Sequence, residues 1–128
     1  MDLDRRDART VEDAVTALGH ACGGRLLAVA LTGEAASAGY RPGKSSLSLA
    51  VVVDHVEVGI LDAIRPLVRR WRSTRVSTPL VLDPLYLETS RDVFPLEFLD
   101  LLDRHRLLAG RIDPFADIKH IGLNLLPL

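Results

Sequence analysis

Two short apolar segments joined by a loop rich in turn residues constrain the fold of this chain more than any other feature. The segments are residues 25–32 and 47–53, and both are rich in Leu, Val and Ala. The loop between them holds three glycines and Pro42, which favour turns over regular structure. A short apolar run bounded by such turns is typical of a strand that is buried on both faces. We therefore predict two neighbouring β-strands at the centre of a sheet.

A helical pattern precedes the first strand. Apolar residues recur between Val11 and Ala21 at the spacing of one helix face. Thr10 is the predicted helix start, because its hydroxyl can accept a hydrogen bond from a free backbone N–H group. The largely charged residues 1–9 are then expected to fray, and Gly23-Gly24 is expected to end the helix.

A second helix is predicted after the second strand. Asp54 is its expected cap, and its apolar residues form one stripe that ends at Trp71, which we assign to the core. Pro66 falls inside the stripe, and we expect a kink or a break there because proline has no backbone N–H. The arginines at the end of this helix are interpreted as solvated surface charges; they are Arg69, Arg70, Arg72 and Arg75.

The rest of the chain predicts further strands and one short helix. A third strand is expected at 78–82, an edge strand at 93–101 and a last strand in the apolar tail, residues 118–128. Residues 104–109 are expected to form a short helix that Gly110 ends. Together these elements predict an α+β fold, in which a mixed β-sheet of about four to five strands is flanked by helices.

Charge balance and cysteine content limit the functional classes. The chain carries 16 basic and 17 acidic side chains, so binding to nucleic acid through a bulk positive charge is not expected. Cys22 is the single cysteine, and the charged N-terminus lacks the apolar core of a signal peptide. The four histidines lack the spacing of zinc ligands. We therefore expect one cytoplasmic domain, 1–128, with no membrane span.

The clearest functional pattern lies in the loop and the second strand. Leu31-Thr32-Gly33 is followed, after the loop, by Lys44-Ser45-Ser46-Leu47-Ser48 and an apolar strand. This arrangement resembles the polymerase-β-like nucleotidyltransferase superfamily, whose pattern is an apolar strand, Gly-Ser, a loop and an Asp-x-Asp pair that leads into a second strand. Segment 92–110 is similar to a bacterial subgroup of these proteins, although the C-terminal helical region of that subgroup is absent from this sequence.

The resemblance implies metal-dependent transfer of a nucleotidyl group, but the residues for that chemistry are changed. In the family, paired acids hold Mg²⁺ beside the phosphates of the nucleotide, because Mg²⁺ prefers hard anionic oxygen ligands. This chain has Ser46 and Ser48 at those positions, and Glu34 replaces the serine that follows Gly33. Glu97 lies where the resemblance places a third acid. We expect a vestigial site that binds no metal and needs no cofactor.

Gly33, Lys44 and Ser45 remain as candidates for binding a nucleotide. Gly43-Lys44-Ser45 also approaches a P-loop, but a P-loop must lead into a helix whose N-terminus helps to hold the phosphates. Here the motif leads into the predicted strand 47–53. The sequence therefore disfavours a P-loop.

These residues leave three functional hypotheses open. The first is a degenerate nucleotidyltransferase-like domain that does not catalyse transfer and serves as a binding or scaffolding module for a nucleotide or a protein. The second is an active enzyme with a rearranged carboxylate set, which uses Mg²⁺ and Glu97 together with Asp54 or another acid recruited from a nearby loop. The third is a structural domain that forms homo-oligomers through the apolar tail, residues 118–128.

Overall fold

One mixed sheet with helices against both faces forms the fold. The structure is a computed structural model that describes residues 3–89 and 105–110. In these ranges the helices and strands are α1 (Arg5–Cys22), β1 (Leu26–Thr32), β2 (Ser48–Val53), α2 (Val58–Trp71), β3 (Leu80–Leu82), α3 (Pro84–Thr89) and β4 (Arg106–Ala109). The strand order is β3-β2-β1-β4, in which β1 is antiparallel to β2 and β4, and β2 is parallel to β3. The predicted α+β class and mixed sheet are confirmed.

Burial on both faces explains why the two central strands are apolar throughout. Leu31 of β1 pairs with Leu49 of β2, and both lie in the large core cluster that includes the buried residues of α1 and α2. Ala30 and Ala50 also pair, but they lie in a second cluster with Leu87 of α3. Successive side chains of a strand point to opposite faces of the sheet. Because helices cover each face, neither strand needs polar residues on alternate positions.

Each of the two long helices buries one apolar stripe against the sheet. The stripes consist of Val11, Ala14, Leu18 and Cys22 in α1, and Ile60, Ile64, Leu67 and Trp71 in α2. Trp71 is 8% exposed, which confirms its assignment to the core. No helix in the described ranges is long and apolar enough to cross a membrane.

The predicted break at Pro66 is wrong, because α2 continues through this residue to Trp71. Pro66 lies on the exposed side of the helix, as does Asp62 one turn earlier. The carbonyl of Asp62, which proline leaves without an N–H donor, can therefore bond to water. The buried stripe on the opposite side then stabilises the helix despite the lost hydrogen bond.

The first helix begins earlier than predicted. It starts at Arg5 rather than at Thr10, so most of residues 1–9, which were expected to fray, are helical. Asp4 is the N-cap residue, and its Oδ1 accepts a hydrogen bond from the backbone N–H of Asp7 at 2.7 Å. An N-cap carboxylate satisfies one of the free donors of the first turn. The predicted end is correct, since Gly23 follows the helix with a positive φ of 58°.

Asp54 does not cap the second helix, contrary to the prediction. The N-cap position of α2 is Glu57, whose side chain makes no capping hydrogen bond. Asp54 Oδ1 instead accepts a hydrogen bond from Arg25 Nε at 2.9 Å. The same arginine also pairs with Glu57, so it joins the start of β1 to the segment between β2 and α2.

A short helix was predicted at 104–109, but Arg106–Ala109 form the strand β4 instead. β4 pairs with β1 in antiparallel fashion, with Leu107 opposite Ala30. A segment this short can adopt either structure, and the backbone groups of β1 provide hydrogen-bonding partners that an isolated helical turn lacks. The edge strand expected at 93–101 and the last strand expected at 118–128 lie outside the described residues.

Candidate functional site

The sheet brings two predicted site residues, Gly33 and Ser48, together. Thr32 at the end of β1 pairs with Ser48 at the start of β2, and Thr32 Oγ1 donates a hydrogen bond to the Ser48 carbonyl at 3.3 Å. Gly33 has a φ of +71°, and a Cβ at this position would lie 3.9 Å from Ser48 Oγ. A left-handed turn of this kind favours glycine. The turn that the resemblance implies therefore lies directly beside the start of β2.

Ser46 and Ser48, which the sequence resemblance aligned with the paired acids of the family, place hydroxyl groups at the start of β2. Ser48 is half-buried and its Oγ lies 3.5 Å from Ser77 Oγ, while Ser46 is exposed. A serine hydroxyl stays neutral at neutral pH and is a weak ligand for Mg²⁺ compared with a carboxylate. Within residues 3–89 and 105–110, no three acids, histidines or cysteines are grouped to hold a metal ion. The residues described at this site do not fit a bound Mg²⁺, and Glu97 lies outside them.

Glu34, which follows the glycine turn, is bound by its own loop. Its Oε1 accepts hydrogen bonds from Arg41 Nε and from Ser45 Oγ, each at 3.0 Å. Hydrogen bonds from Arg41 and then Ser45 favour the charged carboxylate, so they lower the pKa of the Glu34 side chain. The carboxylate is therefore ionised at neutral pH and has two donors within the loop.

Ser45 and Lys44, the candidates for nucleotide binding, differ in their surroundings. Lys44 is exposed, whereas Ser45 is 1% exposed. Besides donating to Glu34, Ser45 Oγ accepts a hydrogen bond from the Arg41 backbone N–H at 2.8 Å. The segment leads into β2 and not into a helix. A P-loop leads into a helix, so the structure agrees with the prediction that this segment is not a P-loop.

A buried aspartate that the sequence analysis did not single out connects this loop to α1. Asp7 is 1% exposed, and its Oδ2 accepts hydrogen bonds from Tyr40 Oη at 2.5 Å and from the Gly43 backbone N–H at 3.2 Å. Its Oδ1 forms an ion pair with Arg75. The interpretation of Arg75 as a solvated surface charge is therefore wrong. No local pattern indicates this pair, because the two residues are 68 positions apart.

Arg75 also fixes the end of the loop that precedes β2. Its Nη1 donates a hydrogen bond to the Ser45 carbonyl at 2.8 Å, and its own carbonyl accepts one from the Leu47 backbone N–H at 2.8 Å. The loop after β1 is thus held by a polar network that runs from the buried side chains of Asp7, Tyr40 and Ser45 to the exposed pair of Glu34 and Arg41. The network consists of Asp7, Glu34, Tyr40, Arg41, Gly43, Ser45 and Arg75.

Asp54, which the second hypothesis recruits for metal binding, lies at the opposite end of β2 from Ser48. The two residues are six positions apart along the chain, which corresponds to about 20 Å at the rise of an extended β-strand. Asp54 is also paired with Arg25. It therefore cannot share a metal ion with groups at the Gly33 end of the sheet.

Another carboxylate with a perturbed pKa, that of Asp83, belongs to this opposite end. Asp83 accepts hydrogen bonds from the backbone N–H groups of Val56 at 2.9 Å and Tyr86 at 2.8 Å. These hydrogen bonds lower the pKa of the Asp83 side chain. Since they hold the segment after β2 and the first turn of α3, the group has a structural role.

Comparisons with known proteins agree with this architecture. No family model matches the sequence, and a search of the curated proteins found no match. Three solved structures of toxin–antitoxin proteins match the fold, each over 88% of this chain and each with a TM-score of 0.50. Two are mutants of an MntA toxin–antitoxin system; they are 16% and 18% identical to this chain, which covers 80% and 82% of their lengths. The third is a toxin–antitoxin structure with AMP-PNP, at 15% identity and 82% coverage.

The first two of these structural neighbours are MntA proteins of a toxin–antitoxin system. At identities of 15–18% the likeness concerns the fold. Four mixed strands in the described ranges, with helices on both faces, agree with it. This chain therefore has a nucleotidyltransferase-like fold.

Proposed function

We propose that this chain is a degenerate nucleotidyltransferase-like domain that does not catalyse nucleotidyl transfer and acts as a binding or scaffolding module. One observation carries the proposal. At the Gly33 end of the sheet, Ser46 and Ser48 present hydroxyls where the family pattern requires acids, and the adjacent carboxylate of Glu34 is bound to Arg41 and Ser45. The single domain 1–128 is part of this proposal.

The chemistry of phosphoryl transfer supports this conclusion. Divalent metal ions neutralise the charge that develops on the phosphates, and the protein must hold them with anionic oxygens. Two serines supply no negative charge, and an arginine already neutralises Glu34. A metal ion at this site would depend on water and nucleotide for its ligands, so it would not be fixed in the geometry that transfer needs.

Both a nucleotide and a protein are proposed as binding partners. The neighbours of this fold include a toxin–antitoxin complex and a structure with AMP-PNP, which supports each class of ligand. Gly33, Lys44 and Ser45 are the residues proposed to contact a nucleotide. A second copy of the chain, bound through the apolar tail at 118–128, is the alternative partner. Sedimentation at micromolar concentration tests that alternative, because a strict monomer contradicts it.

A transfer assay tests the proposal directly. The purified chain is incubated with labelled ATP or GTP and Mg²⁺, and incorporation of the nucleotide into protein is measured. We expect none from the wild type and unchanged behaviour from Glu97→Gln. The double variant Ser46→Asp/Ser48→Asp should raise the affinity for Mg²⁺ in calorimetry, because it restores the paired acids. Turnover by the wild type that is lost in Glu97→Gln would refute the proposal in favour of an active enzyme.

A further inference from the structure

We propose that the Glu34 carboxylate is an internal occupant of a phosphate subsite formed by Arg41 and Ser45, and that a phosphate group of a polyphosphate ligand displaces it. The proposal deepens the proposed function and rests on it in one respect, since it takes the Gly33 end of the sheet as the ligand site. It assigns a ligand chemistry to this site and a device that keeps it closed when no ligand is present.

Two donors converge on one oxygen in this subsite. Arg41 Nε and Ser45 Oγ each lie 3.0 Å from Glu34 Oε1. A guanidinium with a neighbouring hydroxyl can bind a phosphate as well as a carboxylate. Both groups present anionic oxygens that accept hydrogen bonds, although the carboxylate is planar and the phosphate is tetrahedral. The contacts that Glu34 makes are therefore those that a phosphate would make.

The turn that carries the two donors is held in place by groups other than Glu34. Ser45 is buried, and its Oγ accepts the Arg41 backbone N–H at 2.8 Å. The Arg41 carbonyl accepts hydrogen bonds from the N–H groups of Lys44 at 3.0 Å and Ser45 at 2.9 Å. Gly43, at a φ of +73°, is bound through its N–H to Asp7. Because this turn does not depend on Glu34, Ser45 Oγ and the backbone of Arg41 keep their positions when the carboxylate leaves. A ligand then has to order only the exposed side chain of Arg41, which limits the ordering cost.

Glu34 can leave, whereas the other acid of the network cannot. The side chain of Glu34 is 41% exposed and that of its partner Arg41 is 66% exposed, so the carboxylate can rotate into water. Asp7 is buried at 1% and remains paired with Arg75. Arg41, together with the exposed Lys44, thus supplies the positive charge available to a ligand.

Binding of tripolyphosphate, measured by calorimetry without magnesium, tests the proposal. Glu34→Gln removes the competing charge and keeps the side-chain shape, so we expect it to bind about tenfold more tightly than the wild type, the effect of roughly one charge-assisted hydrogen bond. Asp62→Asn is the matched control, because it removes an exposed acid paired with Arg65 at 3.3 Å and changes the net charge equally. This control should bind like the wild type. The double variant Glu34→Gln/Arg41→Gln should lose this gain in affinity for tripolyphosphate.

A second readout needs no variant. Saturation of the wild type with tripolyphosphate should raise the carboxyl pKa of Glu34, followed by ¹³C NMR, because Arg41 and Ser45 then no longer donate to it. Equal affinities of Glu34→Gln and Asp62→Asn, or a Glu34 signal that saturation leaves unchanged, would overturn the proposal. Neither result depends on catalysis: turnover in the transfer assay would contradict the proposed function and leave this contact standing.

Discussion

Replacing the buried aspartate of the loop network tests whether that network determines the stability of the fold. Asp7→Asn keeps the size of the side chain and removes its charge. Asp7 is 1% exposed, and it is the counter-ion of Arg75, whose side chain is 33% exposed. The asparagine can still accept the hydrogen bond from Tyr40 Oη, but it no longer neutralises the guanidinium.

Removing one partner of a buried ion pair costs about 3–5 kcal/mol, because the remaining charge is left without compensation. Water reaches Arg75 in part, so we expect the lower end, about 3 kcal/mol. A domain of this size is stable by only about 5–15 kcal/mol. With an m-value of about 2 kcal/mol/M, the midpoint of urea unfolding should fall by about 1.5 M.

The assay is equilibrium unfolding in urea, followed by circular dichroism at pH 7. Asp62→Asn is again the matched control, since its exposed pair with Arg65 should contribute no more than about 1 kcal/mol. Tyr40→Phe loses the hydrogen bond to the carboxylate and the one that Tyr40 Oη accepts from the Asp4 N–H, and it should fall between them at about 1.5–3 kcal/mol. If Asp7→Asn costs no more than Asp62→Asn, the network does not stabilise the fold and the reasoning is wrong.

Four further predictions concern separate parts of the chain. Asp4→Ala should cost about 1 kcal/mol in urea unfolding, because it removes the N-cap of α1. Gly19→Ala, with nothing within 4 Å of its Cβ in α1, should stabilise by about 0.5–1 kcal/mol, whereas Gly110→Ala should destabilise because its Cβ would lie 2.7 Å from a backbone oxygen of β1. Asp83→Asn should destabilise at pH 7, and its difference from the wild type should shrink below about pH 4, since a lowered pKa stabilises only above the unfolded value. Burial raises the pKa of the Cys22 thiol, so a thiol-reactive dye should label it slowly at pH 8 until urea unfolds the chain.

The sequence predicted those elements whose pattern reports burial. The strands at 25–32 and 47–53 were visible because both faces of each are apolar, and the stripe ending at Trp71 was visible because helix periodicity marks one buried face. The helix prediction for the short segment 104–109 was wrong because β4 forms by pairing with the free edge of β1, which is distant in sequence. The prediction that the first helix starts at Thr10 was wrong for a related reason. The turn before Thr10 is stabilised by contacts with the distant loop, including the hydrogen bond from the Asp4 N–H to Tyr40 Oη at 3.0 Å.

The sequence grouped two residues of the candidate site but not the charges around them. The resemblance to the family grouped Gly33 with Ser48, and their proximity follows from the antiparallel register. The partners of Glu34 and Asp7 were not predictable, since charged residues in a loop or near a terminus usually remain solvated. Charge pairs across 68 positions leave no periodic signal.

The missing acids and the added ion pairs at the Gly33 end of the sheet have the same electrostatic consequence. A site that binds Mg²⁺ must keep an excess of negative charge, so that the cation restores neutrality. Here the hydroxyls of Ser46 and Ser48 add no charge, and each acid of the polar network is matched by an arginine: Glu34 of the loop by Arg41, and Asp7 of α1 by Arg75. The charges in this region are already neutralised, so a divalent cation would add an uncompensated positive charge. An anion that displaces Glu34 would instead keep Arg41 neutralised. The residues described at this end of the sheet therefore favour the proposed anionic ligand over a metal ion, in contrast to the metal-dependent chemistry that the sequence resemblance implied.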